Sequence, residues 1–253
     1  MFLTVSNYPQ RVLSLFLDIV FPKKCLGCGK FTAVGDFDYV CKKCLGKIEN
    51  KNTLECIGCK RQTQYGFTCE FCKKGSFVDQ LVVAAELANP LIEKMLKTHK
   101  YGFISEMNKP LLIVAQKSIK KLLLKGFNLF EDNPLLVPVP LHDRRLNWRG
   151  FNQAELLAKN LSDMYHISCD NSILNKITDS KHQADIKTRE ERLNNIKNSF
   201  ALKNGQLIKN KTIVLVDDIC TTGATLNECT KVLKSGGAKR IIGFVIARGR
   251  FKN

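Results

Sequence analysis

The chain has 253 residues, 44% apolar and 25% charged, and a formal net charge of +17 from 40 Lys and Arg against 23 Asp and Glu. This composition excludes a disordered chain and a collagen-like or repeat fibre, and it leaves room for one large domain or two smaller ones. The basic excess fits a polyanionic partner or a phosphate-rich substrate, and equally a lysine-rich surface set by compositional bias.

Residues 9–21 read as a short apolar helix, with Leu13, Phe16, Leu17 and Val20 at helical spacing. No apolar run reaches the ~18 residues of a membrane span. The best candidate, 12–21, contains Asp18, and no small-residue cleavage site follows it. The expectation is a cytoplasmic protein with no membrane insertion.

Eight of the 11 cysteines then form four Cys-x-x-Cys pairs: Cys25/Cys28, Cys41/Cys44, Cys56/Cys59 and Cys69/Cys72. In a cytoplasmic chain such an array reads as metal ligation, not disulfides. Two residues between cysteines let both thiolates reach one tetrahedral ion, and two such knuckles complete a four-cysteine zinc site. Two structural Zn²⁺ ions are expected. The sharing is either sequential (Cys25, Cys28, Cys41 and Cys44, then Cys56, Cys59, Cys69 and Cys72) or interleaved; spacing does not decide. Gly27 and Gly58 stand where the tight turn asks for glycine. The segment holds little apolar content, so the metal is expected to supply its folding energy. Closed four-thiolate sites carry −2 each, which lowers the chain's charge to about +13.

Beyond residue 76 the cysteine pairs stop. Residues 81–87 read as a strand, and Asn89-Pro90 as a helix start. Residues 104–124 are amphipathic, 135–139 a buried strand and 153–165 a helix. Residues 213–216 are a buried strand, 224–235 a helix ending at Gly236-Gly237, and 241–247 a last strand. Strands alternating with helices point to a parallel α/β sheet. The expected organisation is a cysteine-rich module over 1–76 and an α/β domain over 77–253, carrying +6 and +11 of the charge.

The most specific stretch is 213–225, Ile-Val-Leu-Val-Asp-Asp-Ile-Cys-Thr-Thr-Gly-Ala-Thr. An apolar strand ends in paired acids, and a Thr/Gly loop opens a helix. Ligands of open α/β sheets bind beyond the carboxyl ends of strands. The loop N–H groups and helix N-terminus form an anion cradle. Acids beside an anion site suit sugar hydroxyls, directly or through Mg²⁺. A sugar phosphate is the natural ligand, and the Walker loop is absent.

This stretch resembles the signature that binds phosphoribosyl pyrophosphate (PRPP) in type I phosphoribosyltransferases. The resemblance implies that Asp217 and Asp218 hold the ribose hydroxyls, and that Thr221, Thr222, Gly223, Ala224 and Thr225 hold the 5′-phosphate. Residues 137–153, Val-Pro-Val-Pro-Leu-His-Asp-Arg-Arg-Leu-Asn-Trp-Arg-Gly-Phe-Asn-Gln, run from a strand through an arginine loop into a helix. With the cysteine array, this element resembles the ComF/GntX family of competence-associated phosphoribosyltransferase-like proteins over essentially the whole chain. The implied fold is the type I phosphoribosyltransferase fold, an α/β parallel sheet flanked by helices, with a small N-terminal double zinc ribbon. Arg144, Arg145 and Arg149 suit pyrophosphate, which guanidinium groups bind bidentately; by the family pattern, 139–145 is the pyrophosphate loop. A third segment, 178–200, resembles the family's Gln…Arg-x-x-Asn…Ala-Phe run, with Ser199-Phe200 in place of Ala-Phe. There Lys181, Arg189 or Arg192 is a candidate to neutralise departing pyrophosphate; alternatively Arg189 and Arg192 form a solvated helix face with Glu190 and Glu191. Where some purine-specific enzymes of this class carry an Asp as general base, this chain has Thr221, whose hydroxyl cannot serve.

Three function classes remain. One is a Mg²⁺-dependent transferase that displaces pyrophosphate from PRPP onto an unknown acceptor. Another is a single-stranded DNA-binding factor of DNA uptake, with Lys42, Lys43, Lys60, Arg61, Lys73 and Lys74 flanking the knuckles. The third is an adaptor that docks a competence helicase or another DNA-uptake protein. Trp148 stacks on a base in the second class, or packs on its own domain.

Overall fold

A computed structural model describes residues 23–33, 36–51, 54–179 and 195–249. The helix expected over 9–21 lies outside them.

Four strands form one parallel sheet. They are β1 (Gln80–Glu86), β2 (Leu135–Pro138), β5 (Thr212–Cys220) and β6 (Arg240–Arg248), in the order β1-β6-β5-β2. The long central pair aligns Thr212 with Arg240 and Cys220 with Arg248. Leu136 also bridges to Cys169, so the chain runs beside the outer edge of β2. Nearly every residue of these strands is buried, the pattern of a parallel sheet covered on both faces. Successive side chains point to opposite faces. Val214 and Val216 enter one core, with helices α3 (Pro90–Tyr101), α4 (Asn108–Leu124) and α6 (Gln153–Tyr165). Ile213 and Leu215 enter the other, with α7 (Ala224–Ser235) and the antiparallel pair β3 (Leu174–Lys176) and β4 (Phe200–Leu202).

The caps follow the residues present. Asn89 Oδ1 accepts from the N–H groups of Leu91 and Ile92 at 3.0 and 3.3 Å and starts α3. The start expected at 104 moves to 108, because Ser105–Met107 forms a 3-10 turn first. The larger departure is the arginine stretch read as a loop. It forms a short helix, α5 (Asp143–Arg149), capped by His142 Nδ1, which accepts from the Arg144 N–H, and closed by Gly150 at φ +80°.

The cysteine-rich segment carries two short helices, α1 (Lys42–Gly46) and α2 (Glu70–Lys73). Among the described residues it has no separate core, but it is not without apolar burial. Val40, Leu45, Ile48 and Leu54 pack into the α3/α4 core, and Ile57 into the α7 core. The side-chain amide of Asn50 donates to Ala84 O and Val114 O at 3.1 and 2.9 Å, tying the segment to β1 and α4. Among the described residues no helix is long and apolar enough to cross a membrane.

Leu161, fully buried on α6, tests this packing. Leu161→Ala is expected to cost about 2–5 kcal/mol in urea unfolding. A loss below about 1 kcal/mol would show that α6 does not seal the sheet.

Candidate functional site

The structure groups the cysteines sequentially. The sulfurs of Cys25, Cys28, Cys41 and Cys44 all lie within 4.8 Å of one another, and so do those of Cys56, Cys59, Cys69 and Cys72. A tetrahedral ion at zinc–sulfur distance needs sulfurs about 3.8 Å apart. The Cys28–Cys41 and Cys59–Cys69 sulfurs stand 4.0 and 3.7 Å apart. Both donor sets therefore fit Zn²⁺. Burial disfavours the Cys25 thiolate, but the N–H groups around it more than compensate, and its pKa falls to about 6; Cys56 falls to about 7 in the same way. Burial and the neighbouring sulfurs push Cys44 and Cys72 up to about 12. Four thiolates this close repel one another, and a divalent cation removes that penalty.

The glycines have a different reason from the expected one. A Cβ on Gly27 would meet Cys44 Sγ at 2.9 Å, and one on Gly58 would meet Cys72 Sγ at 2.7 Å. Glycine lets the fourth sulfur approach. The left-handed positions come two residues later, at Gly29 and Lys60.

The second site is a cavity of about 310 Å³ beyond the carboxyl ends of β2 and β5. Asp217 and Asp218 line it, as do Thr221 and Thr225 of the loop that opens α7, and Arg145 and Arg149 of α5. Thr222 turns its hydroxyl to the Ala224 N–H at 3.2 Å, and Gly223 adopts φ +83° as the α7 N-cap. Arg144 does not reach the cavity lining; it is exposed and pairs with Asp179 at 3.1 Å. Lys181, Arg189 and Arg192 lie outside the described residues.

Alternation along β5 sends the two acids to different partners. Asp218, 5% exposed, pairs with Lys100 Nζ at 2.8 Å, and its Oδ2 has no hydrogen-bond partner. Burial and the adjacent Asp218 charge push Asp217 up to about 7, against the pull of Lys100. Arg149 is 6% exposed and donates to Gln153 Oε1 at 2.7 Å, while its Nε is unpartnered. Burial lowers its pKa, a sign of a cation short of anionic company. Lys176 lines the cavity from β3, and burial, then Arg145, lower it to about 8.

Sequence reasoning missed Lys100, His99, Lys176 and Gln153. For His99 and Lys100 the signal was the run Thr98-His99-Lys100-Tyr101, polar residues at the end of an amphipathic helix, and for Gln153 its place at the end of the 137–153 element. Cys220 is a buried thiol, raised to about 11 by burial, in keeping with a small apolar filler. Trp148 packs edge-on against Phe103, with ring centroids 4.7 Å apart, and stays largely exposed.

Residues 148–252 match the model of the phosphoribosyl transferase domain family. The chain is 28% identical over 233 residues to Competence protein F of Haemophilus influenzae, covering 84% of this chain and 98% of that one. It is 28% identical over 227 residues to the DNA utilization protein YhgH of Escherichia coli K12, covering 87% and 94%. It is 28% identical over 240 residues to Competence protein ComFC of Streptococcus pneumoniae, covering 89% and 100%. Sheet, site and match together define a phosphoribosyltransferase-like α/β protein with two four-cysteine clusters. Over most of its length the chain is similar to these competence and DNA-utilization proteins, in line with the ComF/GntX resemblance of its sequence.

His99 makes stability pH-dependent. It is 1% exposed, stacks on Phe151, and finds no partner for either ring nitrogen; burial lowers its pKa to about 4. Between that value and the unfolded value near 6.5 the unfolded chain binds the extra proton. Stability is complete above about pH 6.5 and falls as pH drops toward 4, by on the order of 3 kcal/mol. His99→Phe should flatten this part of the curve in denaturant titrations at pH 4–7. An unchanged slope would assign the acid sensitivity to other groups.

Proposed function

We propose that the chain binds PRPP with Mg²⁺ in the cavity at the ends of β2 and β5, and transfers the phosphoribosyl group to an acceptor with release of pyrophosphate. The observation that carries this reading is the meeting of two strand-end acids, an open helix N-terminus and two arginines in one cavity.

In this reading, Asp217 and Asp218 accept hydrogen bonds from the ribose hydroxyls. The N–H groups of 221–225 and the hydroxyls of Thr221 and Thr225 hold the 5′-phosphate at the positive end of α7. Arg145 and Arg149 lie beside the pyrophosphate. The unpartnered Oδ2 of Asp218 suits a cation or a hydroxyl donor. Mg²⁺, when bound, would neutralise charge that builds on the leaving pyrophosphate. Fixed cations in a buried pocket stabilise the same charge without reorganising. Thr221 offers no general base, so the acceptor must arrive deprotonated or be activated by another group. Lys181, Arg189 and Arg192 are retained as candidates to cover the leaving group. The names of the relatives support a role in DNA uptake or use.

Titration calorimetry of zinc-loaded protein with PRPP and Mg²⁺ tests this. Wild type should bind, and Asp217→Asn/Asp218→Asn should lose at least about tenfold in affinity. Absence of binding in folded wild type would overturn the reading.

A second reading, single-strand binding through the cysteine knuckles, rests on exposed aromatics beside cations. Phe31 is 61% exposed with Lys24 Nζ 5.4 Å from its ring centre, and Phe71 is 76% exposed on the short helix α2, where Lys73 pairs with Glu70. Such platforms stack bases without reading sequence. Phe31→Ala/Phe71→Ala should weaken binding of an oligothymidine at low salt by about 1–3 kcal/mol per lost stack. The salt slope should stay, because the phosphate-facing lysines remain. Equal affinity in variant and wild type would exclude these rings.

A further inference from the structure

The Cys56–Cys59 turn of the second cluster, here the second cysteine knuckle, and the loop that opens α7 are in direct contact, although about 160 residues separate them. Ile57, between Cys56 and Cys59, is 2% exposed and packs in the core that holds Cys220, Ala224 and Leu226. A Cβ built on Gly223 would lie 2.8 Å from Ile57 Cγ1, so the knuckle rests on the loop backbone itself. Only glycine permits both this approach and the φ of +83° at that position.

Polar contacts fix the same junction. Arg248, at the end of β6, is 2% exposed and donates to Glu55 Oε1 at 2.8 Å and to Cys56 O at 2.9 Å, and a further donor reaches Ile57 O. The next residue, Gly249, donates to Cys220 O at 2.9 Å and accepts from Lys60 Nζ at 3.1 Å. On the other flank, Asn227 of α7 accepts from the Phe77 N–H at 2.6 Å. The knuckle carbonyls that bond Arg248 belong to Cys56, a member of the second cluster, and to its neighbour.

The first cluster sits elsewhere. A Cβ on Gly27 would meet Leu91 on α3, and Lys94 Nζ donates to Leu26 O at 3.3 Å. That cluster braces α3 and does not touch residues 220–227 in these contacts.

We propose that the second cysteine knuckle is the outer wall of the phosphate cradle, with Ile57 and Arg248 as positioning residues, so that metal at this cluster alone sets the order of the 221–227 loop. The regulatory part rests on the PRPP reading above; the mechanical part does not. A closed thiolate site holds its turn in one shape only while the metal is bound. Without it, the Cys56 and Ile57 carbonyls leave their fixed positions. Arg248 and Gly223 then lose the surface they rest on, and the N–H groups of the loop lose their common aim.

The test uses the full-length, zinc-loaded chain. Amide exchange over 221–227 is measured first, because it needs no ligand, and PRPP–Mg²⁺ affinity second. Ile57→Ala and Arg248→Met should keep both zinc ions by metal analysis. They should speed loop exchange by about tenfold or more and weaken PRPP by a similar factor. Cys59→Ser should lose one zinc ion with the same loop effect, whereas Cys28→Ser should lose one zinc ion and leave 221–227 exchange at the wild-type rate. If Arg248→Met does not fold, Arg248→Lys, which keeps the charge but not the fork of donors, carries the comparison. Unchanged loop exchange in the Ile57, Arg248 and Cys59 variants would overturn the proposal. Equal effects from loss of either zinc ion would also overturn it. Failure of wild type to bind PRPP would sink the ligand reading and leave the exchange result to decide the coupling.

Discussion

Two adjacent carboxylates lie near the carboxyl end of a strand that is sealed on both faces, and burying them is costly unless cations answer them. β5 can carry them only at its carboxyl end, where the flanking helices part and the cavity begins. The alternation of the strand then sends each acid to a different layer. Asp218 meets Lys100 of α3, with His99 and Arg149 close enough to feel its charge. Asp217 faces the α7 side, where its charge acts on Lys176 and Cys229. The cavity thus has groups from both layers on its walls. Lys100 holds one oxygen of Asp218 and leaves the other unpaired and buried, which is the arrangement of a site that waits for a further donor or cation.

The cysteine segment solves a different problem. A ring of four sulfurs has no apolar interior, and metal bonds replace what burial would supply. Yet both knuckles also lend apolar residues to the cores of the sheet, Val40 and Leu45 to one, Ile57 to the other. Bound metal would hold the turns; shared cores hold the turns against the sheet. The two clusters repeat the same backbone, with flanking bridges Lys24–Phe31 and Glu55–Gln62, but rest on different elements. Duplicated chemistry therefore does not imply duplicated roles.

Much of this was legible before any coordinates. Strands 213–216 and 241–247 declare themselves as unbroken apolar runs because parallel strands are buried on both faces. Helices 153–165 and 224–235 appear at their expected bounds, one opened by the Asn152 side chain and the other stopped at Gly236. The acids and the Thr/Gly loop were legible because their order along one strand–turn–helix unit is local. Lys100 and Lys176 were not, since they reach the cavity from elements remote in sequence, and neither was His99, which is buried against Phe151 outside the cavity lining. Gly223 was legible as a loop residue, but its contact with Ile57 depends on packing that no local pattern encodes. The arginine stretch reads as a loop because Pro138, Pro140 and Gly150 bracket it and Asp143 and Asn147 favour turns; the cap at His142 and the αL close at Gly150 make a helix of seven residues.

That short helix also sorts its three arginines. Arg145 and Arg149 are four residues apart and share a face, so both line the cavity, whereas Arg144 is turned a third of a revolution away. Asp179 pairs with Arg144 at 3.1 Å and lies 3.9 Å from Arg145. An anion approaching Arg145 therefore competes with a carboxylate already present. Arg149 has no such rival: its fixed partner is the neutral oxygen of Gln153, and it is almost fully buried. A guanidinium removed from water, hydrogen-bonded to an amide and with Asp218 acting on it only through its charge, would gain from an incoming phosphate oxygen. Arg149 and Lys176 are the two cations of this cavity lining that are more than nine-tenths buried with no carboxylate in salt-bridge contact among the described residues, so an anionic ligand would answer both.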